Sequence, residues 1–303
     1  MNAQRYASPQ ALRRAVTDRL RTLASQRTGA HLSDLLRQFA YDRLLARVFT
    51  ADPDRWVLKG AAAMLARLPD AARHSKDVDL YSRRGGLSDA ERALREAAAL
   101  DLGDHFHFTP GPAQALTQGA RARRVPVTAY LGPTEFASFH VDLVANRSMT
   151  EEPEKIPPLI DIDVGLPQPS YWAYPVPNHI ADKVCAMLET HTRLSGKIAA
   201  STRYRDLVDL ATFARSSAVD GHALATALRS ESERRRLVLP DHLPDPATAD
   251  WSAGYARAVQ DAPGLPDRDL HSALRSVRAL LDPVLAGDRP DRWDPATLSW
   301  LST

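Results

Sequence analysis

The sequence is short of cysteine, of lysine and of uninterrupted apolar runs, and each shortage excludes something. Among 303 residues there is one cysteine, Cys185, so neither an internal disulfide nor a four-cysteine zinc site can form, and a reducing compartment is the natural one. No window approaches the roughly eighteen consecutive apolar residues that a membrane-spanning helix needs. The opening stretch MNAQRYASPQALRRAV lacks the apolar core of a secretory signal. A soluble cytoplasmic protein with no membrane partner is expected. Of the 39 basic residues only Lys59, Lys76, Lys155, Lys183 and Lys197 are lysines. In such an arginine-rich background a lysine is less apt to be filler at a site that needs a compact ammonium. What is present is ordinary: 44% hydrophobic and 25% charged residues with a net charge of +2 describe a globular chain, long enough for about two domains.

Periodicity divides the chain. Leu12, Val16, Leu20 and Leu23 recur at helical spacing from Pro9 to about Thr28, and a second amphipathic run covers Leu32 to Phe49. WVLKGAAAMLARLPD reads as a short strand or turn feeding a helix that Pro69 ends. KDVDLYS then alternates polar and apolar residues, the two-residue period of a half-buried strand. SDAERALREAAAL is a helix with Ser88 as its expected cap and Glu91 completing a capping box. Strand-like runs follow at residues 105–109, 123–131 and 137–145. From Pro177 the pattern is almost wholly helical, with Pro/Asp-rich stretches near 240 and 287 read as loops. The expected organisation is N-terminal helices (1–50), an α/β domain (51–175) and a C-terminal helical domain (176–303).

Asp77-Val78-Asp79 is the sharpest chemical feature. Alternate strand residues share a face, so both carboxylates project together while Val78 points the other way. Two like charges that close suit a divalent cation, and hard oxygen donors suit Mg²⁺ or Mn²⁺. Surface strands also carry alternating acids with no such purpose. Asp142, set among Phe139, Val141, Leu143 and Val144, is costly to bury unless paired or ligating, and could complete a three-carboxylate cluster; it could equally face solvent. Lys59-Gly60-Ala61 precedes the helix before the acidic strand, where a turn glycine lets backbone N–H groups approach a phosphate at a helix N-terminus. Lys183 sits at the edge of the apolar face formed by Ile180, Val184 and Leu188, placed either to reach a phosphate or to snorkel to solvent. Asp206 and Asp209 lie three apart on one helix with Arg203 and Arg205 beside them, which an ordinary salt-bridge network would also explain.

In order, LKGAAAMLARLPDAARHSKDVDLYS, NHIADKVCAMLE and RYRDLVDLATFA resemble the motifs of the AbiEii/AbiGii toxin family within the nucleotidyltransferase superfamily. Several actinobacterial members of similar length are the toxins of MenAT-type toxin–antitoxin pairs. The resemblance covers about residues 55–215. It departs at Gly60-Ala61, where the family has Gly-Gly or Gly-Ser. It implies an α+β (α/β) minimal nucleotidyltransferase fold with N-terminal helices and a C-terminal helical bundle, and a groove between the last two as the active site. Asp77, Asp79 and Asp142 would be catalytic and hold Mg²⁺ or Mn²⁺, with Asp142 assisting the attack of a hydroxyl on the α-phosphate. Lys59, Gly60, Ala61, Ser75, Lys183, Arg203 and Asp206 would bind the nucleotide, with Lys183 and Asp206 also catalytic. Ser75 falls on a serine that looks modifiable in some members, although a plain turn serine accounts for it. The implied reaction transfers a nucleoside monophosphate from an NTP to an RNA acceptor, the tRNA 3′ end, blocking translation. The expected partner is a cognate antitoxin and the expected state a monomer. Basic clusters at Arg13 and Arg14, at Arg121, Arg123 and Arg124, and at Arg234 to Arg236 would suit RNA or be solvated faces. Other readings are nucleotidylation of a protein or small molecule, and a catalytically silent nucleotide- or RNA-binding protein.

Overall fold

A computed structural model describes residues 6–116, 122–145, 148–168, 170–189, 191–192, 198–199, 202–246 and 250–301. The chain falls into two compact units. The first comprises residues 1–70, 74–148 and 153–173, and the second residues 71–73, 149–152 and 174–303. The helices expected to stand apart as residues 1–50 thus belong to the first unit.

In that unit α1 (Pro9–Gln26) starts where Ser8 accepts the N–H of Ala11, with Pro9 in the first turn, and buries Leu12, Val16 and Leu20. Helix α2 (Leu32–Ala51) is buried from Gln38 to Phe49, charged residues included. A chain that buries Arg43 and Arg47 must give them acceptors. Both guanidiniums converge on the buried Asp104, Arg43 Nε at 2.7 Å and Arg47 Nη2 at 2.7 Å, and Arg47 also donates to the carbonyls of Leu100 and Phe106.

Strand β1 (Trp56–Lys59) leads into α3 (Gly60–Arg67), and β2 (Asp77–Ser82) into α4 (Leu87–Ala98). Then come β3 (Phe106–Pro110), β4 (Gln114–Ala115), β5 (Ala122–Leu131), β6 (Thr134–Ala145), β7 (Glu154–Ile156) and β8 (Tyr171–Ala173). These form one mixed sheet in the order β3-β5-β6-β2-β1-β8-β7, with β4 beside β5. Helix α2 packs on β6 and α4, and α3 on β1 and β2. Helix α4 begins earlier than the sequence reading expects. The left-handed Gly85 and the adjoining Gly86 turn the chain so that Asp89 accepts the Gly86 N–H, while Glu91 is taken by Arg95 and Arg123 instead of closing a box on Ser88.

The second unit is mostly helical: α5 (Val176–Leu188), α6 (Tyr204–Ser216), α7 (Gly221–Arg235), α8 (Asp250–Ala258) and α9 (Leu270–Leu285). A short ladder pairs β9 (His191–Thr192) with β10 (Ile198–Ala199), and β11 (Val219–Asp220), β12 (Arg292–Asp294) and β13 (Ser299–Leu301) form a three-stranded sheet. The latter runs through the stretch near 287 read as a loop. Trp293 there is fully buried and donates its indole N–H to the Ala214 carbonyl, a tertiary contact that pulls a proline-flanked segment into a strand. Helix α8 has no strong sequence signal because Gly254 weakens it. The glycine is required, since an added Cβ would fall 2.4–2.5 Å from the Tyr204 ring. Among the described residues no helix is long and apolar enough to cross a membrane.

Asp42 gives a stability test. Its carboxylate is buried and accepts N–H bonds from Leu159 (3.0 Å) and Ile160 (2.8 Å) and the Tyr171 hydroxyl proton (2.9 Å). Burial, only partly offset by these donors, pushes its pKa up to about 7. The folded state therefore holds a proton that the unfolded state has released between about pH 4 and 7. This contribution is complete at the acid end of the window and lost as the pH rises through about 7. Urea titrations across this range should show stability falling toward about 1.4 kcal/mol per pH unit near its centre, and Asp42→Asn should flatten that slope.

Candidate functional site

Asp77 and Asp79 leave the same face of β2 at its start, with Val78 fully buried on the other. Parallel pairing with β6 sets Asp79 opposite Asp142, and antiparallel pairing of β6 with β5 sets Asp142 opposite Arg124. Paired strand residues share a face, so three carboxylates and a guanidinium are brought together. Arg124 forks Asp142, Nε to Oδ1 at 2.7 Å and Nη2 to Oδ2 at 2.6 Å, and Nη2 also lies 3.3 Å from Asp77 Oδ2. The hydrogen bonds that Arg124 donates to Asp142 outweigh partial burial and hold the Arg124 proton more firmly than usual. Of the three carboxylates expected from the sequence to hold a cation, Asp142 has both oxygens bonded by Arg124. Among the described residues no three His, Cys, Asp or Glu side chains are arranged to hold a metal ion. Asp77 and Asp79 remain a hard oxygen pair of the kind that holds Mg²⁺ together with substrate phosphates.

The turn into α3 lies directly against this pair. Lys59, the last residue of β1, sits opposite Asp79, and the chain then turns at Gly60 with φ of +62°. A Cβ on Gly60 would fall 1.9 Å from Asp79 Oδ2 and 2.6 Å from its Cγ. No other residue can therefore occupy this position without displacing the carboxylate. Lys59 and Ala61 are both buried. Ser75, 1% exposed, has its Oγ 2.7 Å from the Asp77 carbonyl oxygen and 3.1 Å from Asp77 Oδ1, which makes it the turn that presents Asp77. Helix α2 supplies the backing that sequence reading missed. The Tyr41 hydroxyl donates to the Ser75 carbonyl at 3.2 Å, and Gln38 Nε2 meets His74 Nδ1 at 3.1 Å. The available signal was Gln38, Tyr41 and Asp42 set among Leu35, Phe39, Leu44 and Leu45.

In the second unit Lys183 neither snorkels nor sits free. It is 6% exposed and donates to Asp209 and, at 3.2 Å, to Asp206 Oδ1. Burial alone would lower its pKa, but the two carboxylates outweigh that and hold it above the ordinary lysine value. Asp209 is fully buried and also takes a fork from Arg73, Nε at 2.9 Å and Nη2 at 3.1 Å. Against the upward pull of burial, Arg73 and Lys183 keep it ionised below the usual carboxylate range. Arg203 Nη1 reaches Asp206 Oδ2 at 3.4 Å. Beside this network lies an open cavity of about 540 Å³ lined by Arg73, Arg203, Tyr204, Arg205, Asp206 and Arg257, among others.

Several other members of the basic clusters seen in sequence bond within the protein. Arg123 pairs with Glu91 and Arg13 with the Thr134 and Glu135 carbonyls, while Arg234 and Arg235 pair with Glu231. Arg121 lies outside the described residues.

Asp206 and Asp209 should separate sharply on mutation. Asp209→Ala strips a buried ammonium and a guanidinium of their shared acceptor and should cost about 3–5 kcal/mol. Asp206→Ala leaves Lys183 paired and should cost about 1 kcal/mol. Urea unfolding of both variants, with unchanged m-values, measures the difference.

The chain matches the family profile described as "Nucleotidyl transferase AbiEii toxin, Type IV TA system" across residues 43–283. A search of curated protein sequences finds no match. Among solved structures it is similar to MenT4, a nucleotidyltransferase toxin of Mycobacterium tuberculosis H37Rv, at 18% identity and a TM-score of 0.49, covering 89% of this chain and 98% of that one. It is also similar to a putative nucleotidyltransferase of H. pylori (15% identity, TM-score 0.40, 82% and 95% covered) and to JHP933 of Helicobacter pylori (14%, 0.40, 82% and 92%). With four fifths of its length under that one profile, the chain belongs to the AbiEii family of nucleotidyltransferase toxins, enzymes of type IV toxin–antitoxin systems.

Proposed function

We propose that this enzyme transfers a nucleoside monophosphate from an NTP to the 3′ end of a tRNA, in a Mg²⁺- or Mn²⁺-dependent reaction that releases pyrophosphate and stops translation. The observation that carries the reading is the fit of Gly60 against Asp79: a left-handed turn opening a helix lies in contact with one member of a pair of hard carboxylates. Turns of this kind receive phosphate, and paired carboxylates receive the cation that accompanies it.

Asp77 and Asp79 would hold the cation, which when bound neutralises charge on the phosphates and the departing pyrophosphate. The residues of this chain do the rest. Ser75 and Tyr41 fix the direction of Asp77, and the Gly60 turn offers backbone N–H groups to the triphosphate. Lys183, anchored by Asp209, is the point charge for a nucleotide phosphate, and Asp206 and Arg203 contact the nucleotide. Positioning and charge complementarity supply most of the acceleration in phosphoryl chemistry of this type. For the acceptor, the arginine-lined cavity of the second unit favours a polyanion. We further place the enzyme in the cytoplasm as a monomer, neutralised by its cognate antitoxin.

The test is direct. Purified protein is incubated with each α-labelled NTP, Mg²⁺ and total tRNA. Label at RNA 3′ ends with stoichiometric pyrophosphate supports the proposal, label confined to protein moves the acceptor to a side chain, and no NTP consumption overturns nucleotidyl transfer. Asp77→Asn and Asp79→Asn should each lower the rate roughly a thousandfold. Gly60→Ala should act like Asp79→Asn in the same assay, because its Cβ expels that carboxylate.

A further inference from the structure

We infer that Arg124 is the resident counter-ion of the acidic site. By neutralising Asp142 it keeps that carboxylate out of cation coordination and removes one negative charge from the field a cation meets there. The inference rests on the proposed reaction only in taking Asp77 and Asp79 as the cation's ligands.

Three carboxylates from two adjacent strands lie beside one guanidinium, which offsets one of their negative charges, and Lys59 stands opposite Asp79 on the other neighbouring strand. The pairing is not incidental to a solvated surface. Asp142 is 8% exposed, and a carboxylate that deep needs a partner whether or not a cation is bound. Arg124 is placed by register, directly opposite Asp142 on the next strand, and it offers the two-pronged geometry that only arginine supplies. Both oxygens of Asp142 are occupied by that fork, each at 2.6–2.7 Å. The contact to Asp77 is longer, 3.3 Å to one oxygen. Both the long contact to Asp77 and the short bond to Asp142 Oδ2 come from Nη2, so a cation at Asp77 and Asp79 would compete only with the long contact and would leave the fork on Asp142 in place. Sequence gave no hint of this division, because Arg124 reads there as one member of a basic cluster.

Charge counting orders four proteins without reference to catalysis. Relative to the wild type, Arg124→Gln adds one negative charge to the site, Asp142→Asn removes one, and the double variant leaves the charge unchanged. Mn²⁺ binding to the full-length protein without nucleotide, followed by the loss of the free-ion EPR signal, should be about tenfold tighter in Arg124→Gln and about tenfold weaker in Asp142→Asn. It should return to the wild-type value in the double variant. Thermal melting gives a second readout. Arg124→Gln should melt lower than wild type in EDTA and gain more from saturating Mn²⁺, while the double variant should behave as wild type in both conditions. Should Arg124→Gln prove unstable, Asp142→Asn and the double variant still decide the matter.

Weaker Mn²⁺ binding in Arg124→Gln would mean that the arginine poises Asp142 as a ligand. A double variant that binds far more weakly than wild type would mean that Asp142 coordinates directly. Either result overturns the inference, as does a wild type that binds no Mn²⁺ without nucleotide. None of these outcomes depends on pyrophosphate release, so a protein that orders its Mn²⁺ affinities as stated but consumes no NTP would sustain the inference and sink the nucleotidyl-transfer reading.

Discussion

Burying an ionised side chain without a partner costs several kilocalories per mole, and both units of this protein are built around meeting that constraint. In the first unit Asp104 gathers Arg43 and Arg47 and so carries α2 through the interior. In the second, Asp209 gathers Lys183 and Arg73, joining α5, α6 and the segment 71–73. At the acidic site Arg124 does the same for Asp142. Replacing such clusters with apolar residues of equal volume is often neutral for stability. Their presence therefore points to the other thing they supply, which is fixed orientation of charge.

Orientation is what the candidate chemistry uses. A phosphate and its cation need donors and acceptors held in place before they arrive, since rearranging them during the reaction would spend the binding energy that should go into the transition state. The acidic pair is held from several sides: by the strand register of β1, β2 and β6, by Ser75 at the strand entrance, by Tyr41 behind Ser75, and by the bare Cα of Gly60 against Asp79. The lysine of the second unit is held comparably, its carboxylate partners themselves fixed on one helix face. Family membership across residues 43–283 makes the enzyme class secure, and these details describe how this particular chain builds it.

Much of this was legible in local pattern. The alternation of KDVDLYS marks a strand whose two acids share a face, and the Gly60 turn, helix and acidic strand appear in the expected order because each is a short-range feature. Local pattern failed where a distant partner decided the outcome. Ser88 reads as a cap, but two glycines started the helix sooner. The Pro/Asp-rich stretch near 287 reads as a loop, but Trp293 needed burial and an acceptor on Ala214. Tyr41 and Gln38 read as members of an N-terminal helical pair, and their contact with the acidic loop spans more than thirty residues of chain.

The sequence by itself therefore determined the elements, their order, the face on which Asp77 and Asp79 stand and the family whose motifs they spell, because periodicity and turn chemistry act over a few residues. Tertiary structure alone decided which charges neutralise one another. Arg124 pairs with Asp142, Asp209 rather than solvent claims Lys183, and Asp79 occupies the space that a side chain on residue 60 would need. Those choices depend on strand register and helix packing between segments far apart in the chain. Coulombic interaction depends on distance through space, which no spacing along the sequence encodes.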